Sequence, residues 1–174
     1  MNKIFCIVMP IILCSCADKA KDYDVYVSRD FSQDEFAQIS SAASEWETKS
    51  KYDVVFNFHY QDDNASVDRH KIIVAKSTFS YIDDVMSDSN AIGFTSEDPV
   101  SDTGYIYFPS LYLLGYKSGP TIKHEFGHAL GLVHSGQGTI MYYRFDPDTQ
   151  NVSCADISQL TRVRDEHYFT CDGD

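Results

Sequence analysis

Residues 124–134 read His-Glu-Phe-Gly-His-Ala-Leu-Gly-Leu-Val-His, three histidines and a glutamate spaced to surround one ion. On a helix, positions i and i+4 share a face. His124 and His128 can therefore bind the same metal from adjacent turns, with Glu125 beside them. A catalytic zinc takes three protein ligands and keeps one position open. His134 can be the third ligand only if the helix stops before it. Gly131 permits that stop, because a turn with positive φ costs glycine almost nothing. Imidazole ligands and a hard carbonyl substrate favour zinc over softer metals. Zinc here would bring the pKa of a water toward ~7 and polarise a scissile carbonyl. Glu125 would take the water's proton as it attacks and pass it to the leaving amine. A bare HExxH is only moderately informative, whereas HExxHxxGxxH fixes five residues.

The elements that must position these residues can be read from periodicity. Tyr23, Val25 and Val27 alternate with Asp24, Tyr26 and Ser28, which predicts a strand. Ser32-Gln33-Asp34-Glu35 reads as a capping box. Phe36, Ile39, Ala43 and Trp46 then mark the inner face of a helix ending near Ser50. Val54, Phe56, Phe58 and Tyr60 give a second strand, and Asp62-Asp63-Asn64 a turn. Ile72–Ala75 is an unbroken apolar run, as expected of a strand covered on both faces. Ile92–Thr95 and Tyr105–Phe108 are two more strands, with Ser96–Thr103 between them acidic and loop-like. Gly119-Pro120 opens the histidine helix, which stops at Gly131. A last helix follows Ser153, capped by Ser153 and Asp156, with Ile157, Leu160 and Val163 inside. The fold class is α+β, a twisted mixed sheet of about five strands packed on helices.

The chain has 174 residues, enough for one domain with a real core, and 43% hydrophobic and 14% aromatic residues argue against disorder. Its 14 basic against 26 acidic residues, a net charge of -12, leave no surplus to neutralise phosphates. A nucleic-acid partner is therefore not expected. Lys3 and the apolar run Ile4–Leu13 fit a secretory signal over residues 1–15 and are too short to span a membrane. The sequence Leu13-Cys14-Ser15-Cys16 resembles a bacterial lipobox. That resemblance implies lipidation at Cys16, a tether over residues 16–22 and a membrane anchor without a span. Ala17 after Cys16 leans toward the outer membrane or cell surface. Cys6 and Cys14 would leave with the signal. Cys154 and Cys171 remain in an oxidising compartment, where a disulfide between them is expected. Residues 23–174 would form the catalytic domain, expected as a monomer.

Around the histidines the chain resembles the metzincin metallopeptidases, and within them most closely the matrixins. The matching text is Gly104-Tyr105-Ile106-Tyr107-Phe108, residues 124–135, Ile140-Met141-Tyr142 and Cys154-Ala155-Asp156-Ile157. The resemblance implies a metzincin-like fold and a methionine turn in which Met141 floors the metal site. Astacin-like and serralysin-like relatives carry a tyrosine two residues after that methionine, which makes Tyr143 a candidate stabiliser of the transition state. No cysteine-switch prodomain is recognisable. The matrixin loop for structural zinc and calcium is not recognisable either, although a calcium near Asp98 and Asp102 stays open beside the reading of solvated loop acids. Ser135 reads as structural. His59, His70 and His167 read as surface or capping residues.

The expected function is that of a zinc endopeptidase acting on extended protein or peptide chains, with Ile92–Thr95 as the edge strand that seats them. Two rivals keep the same motif: a non-proteolytic peptide-binding lipoprotein with a structural zinc, and a zinc exopeptidase. Intact Glu125 favours hydrolysis over binding alone.

Overall fold

A computed structural model describes residues 21–61, 70–78, 93–98 and 103–164. Five strands form one sheet: β1 (Lys21–Val27), β2 (Val54–Tyr60), β3 (His70–Lys76), β4 (Phe94–Asp98) and β5 (Thr103–Phe108), in the order β2-β1-β3-β5-β4. All neighbours are parallel except β4 on β5. Parallel neighbours need a crossover, and helix α1 (Gln33–Lys49) supplies the one between β1 and β2. Helix α2 (Leu111–Leu114) and a 3-10 turn (Gly115–Lys117) lead into α3 (Ser118–Ala129), and α4 (Cys154–Arg164) closes the described chain. This is the α+β fold that the sequence predicts.

The sheet's inner face presents Tyr23, Val25, Val27, Val54, Phe56, Ile72, Val74, Ile106 and Phe108, all buried. Ile39, Ala43 and Trp46 of α1 pack there at the predicted spacing, as do Ile122 and Phe126 of α3. The Phe126 ring meets Phe56 edge-on at 5.3 Å. Each fully buried side chain of this size contributes about 1.5–3 kcal/mol, so the histidine helix is clamped on a rigid floor.

Several boundaries differ from the sequence reading. β1 begins at Lys21, within the expected tether. β4 runs to Asp98 and β5 starts at Thr103, because antiparallel pairing of residues 94–98 with 103–107 draws part of the acidic stretch into the sheet. α3 starts at Ser118 rather than at Gly119-Pro120. Ile72 and Val74 are buried but Ile73 and Ala75 only half so, and β3 is covered fully on one face. On the opposite face of β1, Asp24 is buried and lies 3.3 Å from Nε2 of a half-buried His59, which is thus part of the sheet's packing. Residues 1–20, Asp62-Asp63-Asn64, Ile92, Asp102, His167 and Cys171 lie outside the described residues, as does the side chain of His70.

The capping box forms as predicted: Glu35 N–H donates to Ser32 Oγ and Ser32 N–H to Glu35 Oε2. Glu35 does more than cap. It also accepts from Lys76 Nζ at 2.9 Å, Leu111 N–H at 2.9 Å and Ser110 Oγ at 3.0 Å. Burial alone would raise its pKa, but these donors outweigh it and bring the carboxyl down from 4.5 to about 2. Since the folded value lies below the unfolded one, the stabilisation is complete above pH 4.5 and is lost as pH falls toward 2. Glu35→Gln should therefore be less stable than the parent by on the order of 2 kcal/mol at pH 7. In urea titrations that gap should close below pH 4.5. A gap independent of pH would show that the carboxylate charge is not what the donors hold.

Candidate metal centre

α3 is tied down on both flanks before it presents its histidines. Trp46 Nε1 donates to the Lys123 carbonyl at 3.0 Å. Lys123 Nζ pairs with Glu45 and donates to Gln150 O at 2.8 Å and Asn151 Oδ1 at 3.0 Å. The helix ends as Gly131 requires. Gly131 takes φ +91, its N–H donates to His128 O, and Leu132 N–H donates to Gly127 O. These two bonds make a Schellman termination, with glycine in the left-handed position. The chain then turns back and brings His134 to the other two rings. Ring centroids lie 4.7 Å apart for His124–His128, 4.8 Å for His128–His134 and 5.3 Å for His124–His134.

Hydrogen bonds fix the chemical state of two imidazoles. His124 Nδ1 donates to Ile140 O at 2.7 Å and His128 Nδ1 to Leu132 O at 2.8 Å. A carbonyl can only accept, so each Nδ1 carries the ring's proton and each Nε2 offers a lone pair. Burial, and the neighbouring histidines, hold His124 down at about 4, and burial lowers His128 as well. Both rings are thus neutral at ordinary pH. Their Nε2 atoms nevertheless face each other at 3.0 Å. Two lone pairs that close repel unless a cation lies between them. The triad offers one ligand atom from each histidine, all within 4.8 Å of one another. Three nitrogens, with backbone carbonyls orienting two of the rings, fit a zinc ion with an open fourth position. It is the cluster that the described residues offer a metal; Asp102 and the side chain of Asp98 lie outside them, and nothing supports the calcium considered there.

Met141 is fully buried and packs against α3 at Gly127. A Cβ at Gly127 would stand 2.3 Å from Met141 Sδ and 3.0 Å from Trp46 Cζ2. The helix thus needs glycine between its two histidines for the methionine to approach. Ser135 N–H donates to Met141 O, and Ser135 Oγ bonds Thr139 Oγ1, which closes the short loop from the third histidine to the methionine. Asp156 then locks the Ile140-Met141 segment. Fully buried, it accepts from Ile140 N–H at 3.2 Å, Met141 N–H at 3.4 Å and Ser153 N–H and Oγ at 2.9 and 2.6 Å. One carboxylate both caps α4 and holds the segment whose Ile140 carbonyl orients His124.

Glu125 is buried, and burial pushes its carboxyl up to about 7, against the pull of a hydrogen bond from Thr95. Thr95 Oγ1 donates to Glu125 Oε2 at 2.6 Å. Tyr143 is 56% exposed, its ring 6.4 Å from that of His134 and edge-on to that of Tyr142 at 4.9 Å. It lies on the surface and not in the core. Cys154 is disulfide-bonded.

Among known families, the model for the reprolysin-like metallopeptidases of family M12B matches residues 4–135, three quarters of the chain. The chain belongs to the M12B reprolysin-like metallopeptidase family. This reprolysin-like peptidase is zinc-dependent, with the histidine triad as its candidate ligand set. The match ends at Ser135, so Met141 and Tyr143 lie beyond it. No curated protein sequence matches. Solved structures that share the fold include two metallopeptidase-fold chains. Myroilysin is 12% identical, with a TM-score of 0.56 over 86% of this chain and 95% of its own. Archaemetzincin from Methanopyrus kandleri is 12% identical, with a TM-score of 0.52 over 87% of this chain and 99% of its own. These likenesses place the reprolysin-like chain in the metzincin fold.

Proposed function

We propose that the chain is an endopeptidase that cleaves extended protein segments, with Glu125 as general base. The observation that carries this is the pair of Nε2 lone pairs 3.0 Å apart, with a buried carboxylate on the residue next to His124. Bound zinc supplies polarisation of the scissile carbonyl and a more acidic water. Glu125 takes the proton of the attacking water and returns it to the leaving amine, a task suited to a carboxyl poised near neutrality. β4 is one of the two edges of the described sheet, and it lies against the base. Its outer backbone groups can pair with a substrate strand. A peptide-library digest with end-blocked peptides tests the reading. Internal cleavage that stops on chelation and returns with zinc is expected. Silence from the zinc-loaded protein would remove the peptidase.

Tyr143 is proposed to steady the oxyanion, since its exposed ring stands beside the third ligand. Tyr143→Phe should lower kcat by about tenfold with zinc content unchanged; unchanged turnover would remove it from the mechanism. Export and anchoring rest on the lipobox-like Leu13-Cys14-Ser15-Cys16. Cys16→Ser should move the protein from the membrane to the soluble fraction, and retention on the membrane would exclude Cys16 as the anchor. Cys171 is the proposed partner of the bonded Cys154.

A further inference from the structure

The sheet edge that faces the active site also touches the general base at two points. Gly93 and Thr95 are two residues apart, so in extended backbone they face the same way. Both meet Glu125. A Cβ on Gly93 would stand 2.8 Å from Glu125 Oε1 and 2.9 Å from its Cγ, closer than real side chains come. On the other side, the Thr95 hydroxyl donates to Oε2 at 2.6 Å and lies 3.2 Å from the Glu125 carbonyl. A hydroxyl has one proton, and the shorter contact to the carboxylate takes it. Among the described residues no other donor is recorded on either carboxylate oxygen.

We propose that Gly93 and Thr95 form a notch that fixes the rotamer of Glu125, with Thr95 as a positioning residue for the base. Gly93 leaves the space and Thr95 sets the angle. Without this bond the described residues offer the buried carboxylate no other donor to choose one orientation over another, and misplacing a reacting group by about 1 Å can cost 100-fold in rate. The notch lies at β4, so one strand both offers backbone to the substrate and aims the group that activates water. This inference rests on Glu125 being the general base.

Thr95→Val keeps the β-branched shape and strand backbone but loses the hydroxyl. It should lower kcat about tenfold with KM within about twofold and zinc content unchanged, because only the orientation of the base is disturbed. Thr95→Ser should restore kcat to within about threefold, and Gly93→Ala should lower it with zinc retained. A second readout needs no activity. In urea unfolding, Thr95→Val should reduce the folding equilibrium constant about fivefold in the parent and less than about twofold in a Glu125→Ala background. Equal effects in the two backgrounds would overturn the contact. Unchanged kcat in an active Thr95→Val enzyme would overturn the positioning role. Should the parent hydrolyse nothing, the peptidase reading fails on its own, and the unfolding cycle still decides whether the notch exists.

Discussion

Glu125→Gln should leave one zinc bound and reduce kcat by at least about 100-fold. Glutamine keeps the volume of the side chain and an oxygen that can accept from Thr95, so the pocket stays filled and the helix keeps its packing. What it cannot do is take a proton. The buried carboxyl of Glu125 sits at about 7, close to the pH at which it must both accept and return one. Stability should not fall, because the substitution removes an acid whose charged form burial already disfavours. Turnover measured on a blocked internal peptide, beside zinc content and an unfolding midpoint, separates the outcomes. A variant within tenfold of the parent would mean that another group moves the proton.

The next largest effect is expected far from the histidines in sequence. Asp156→Ala removes a fully buried carboxylate that accepts from Ile140 N–H, Met141 N–H, Ser153 N–H and Ser153 Oγ. Three backbone donors would be stranded at once. Each buried unsatisfied group costs about 1–3 kcal/mol, so a loss on the order of 4 kcal/mol in unfolding free energy follows once water has relieved part of it. Zinc affinity should drop with it, by about 10–100-fold, because Ile140 O is the acceptor that orients His124. Asp156→Asn keeps one acceptor oxygen and should fall between. Competition against a chelator of known affinity reads the second effect. Weakened folding with unchanged zinc affinity would show that the helix cap matters and the link to His124 does not.

The centre of the site could be read from the sequence because its geometry is local. His124 and His128 need only helical spacing, and Gly131 announces both the stop and the turn that returns His134. The core face of α1 follows the same rule, with Ile39, Ala43 and Trp46 recurring at helical intervals. Contacts that join distant segments left no such trace. Glu35 shows its capping partner three residues away, but nothing in the sequence points to Ser110 and Leu111, 75 and 76 residues on. Asp156 reads as a helix cap, and only the fold reveals that the same oxygens hold the methionine segment. Thr95 is visible as a strand residue, whereas its bond to Glu125 spans 30 residues and depends on β4 lying over α3. α2 is too short to show periodicity. The acidic tail of β4 looks like loop because its strand character comes from pairing with β5.

Everything rests on the neutral imidazoles of His124 and His128, whose Nε2 lone pairs face each other at 3.0 Å with His134 beside them. Metal analysis combined with zinc-edge absorption on the purified protein addresses that claim most directly. One zinc per chain is expected, with three nitrogen neighbours at about 2.0–2.1 Å, and His134→Ala should lower both the occupancy and the nitrogen count. A folded, unmodified protein that takes up no stoichiometric metal, or one whose zinc is indifferent to loss of His134, would contradict the account.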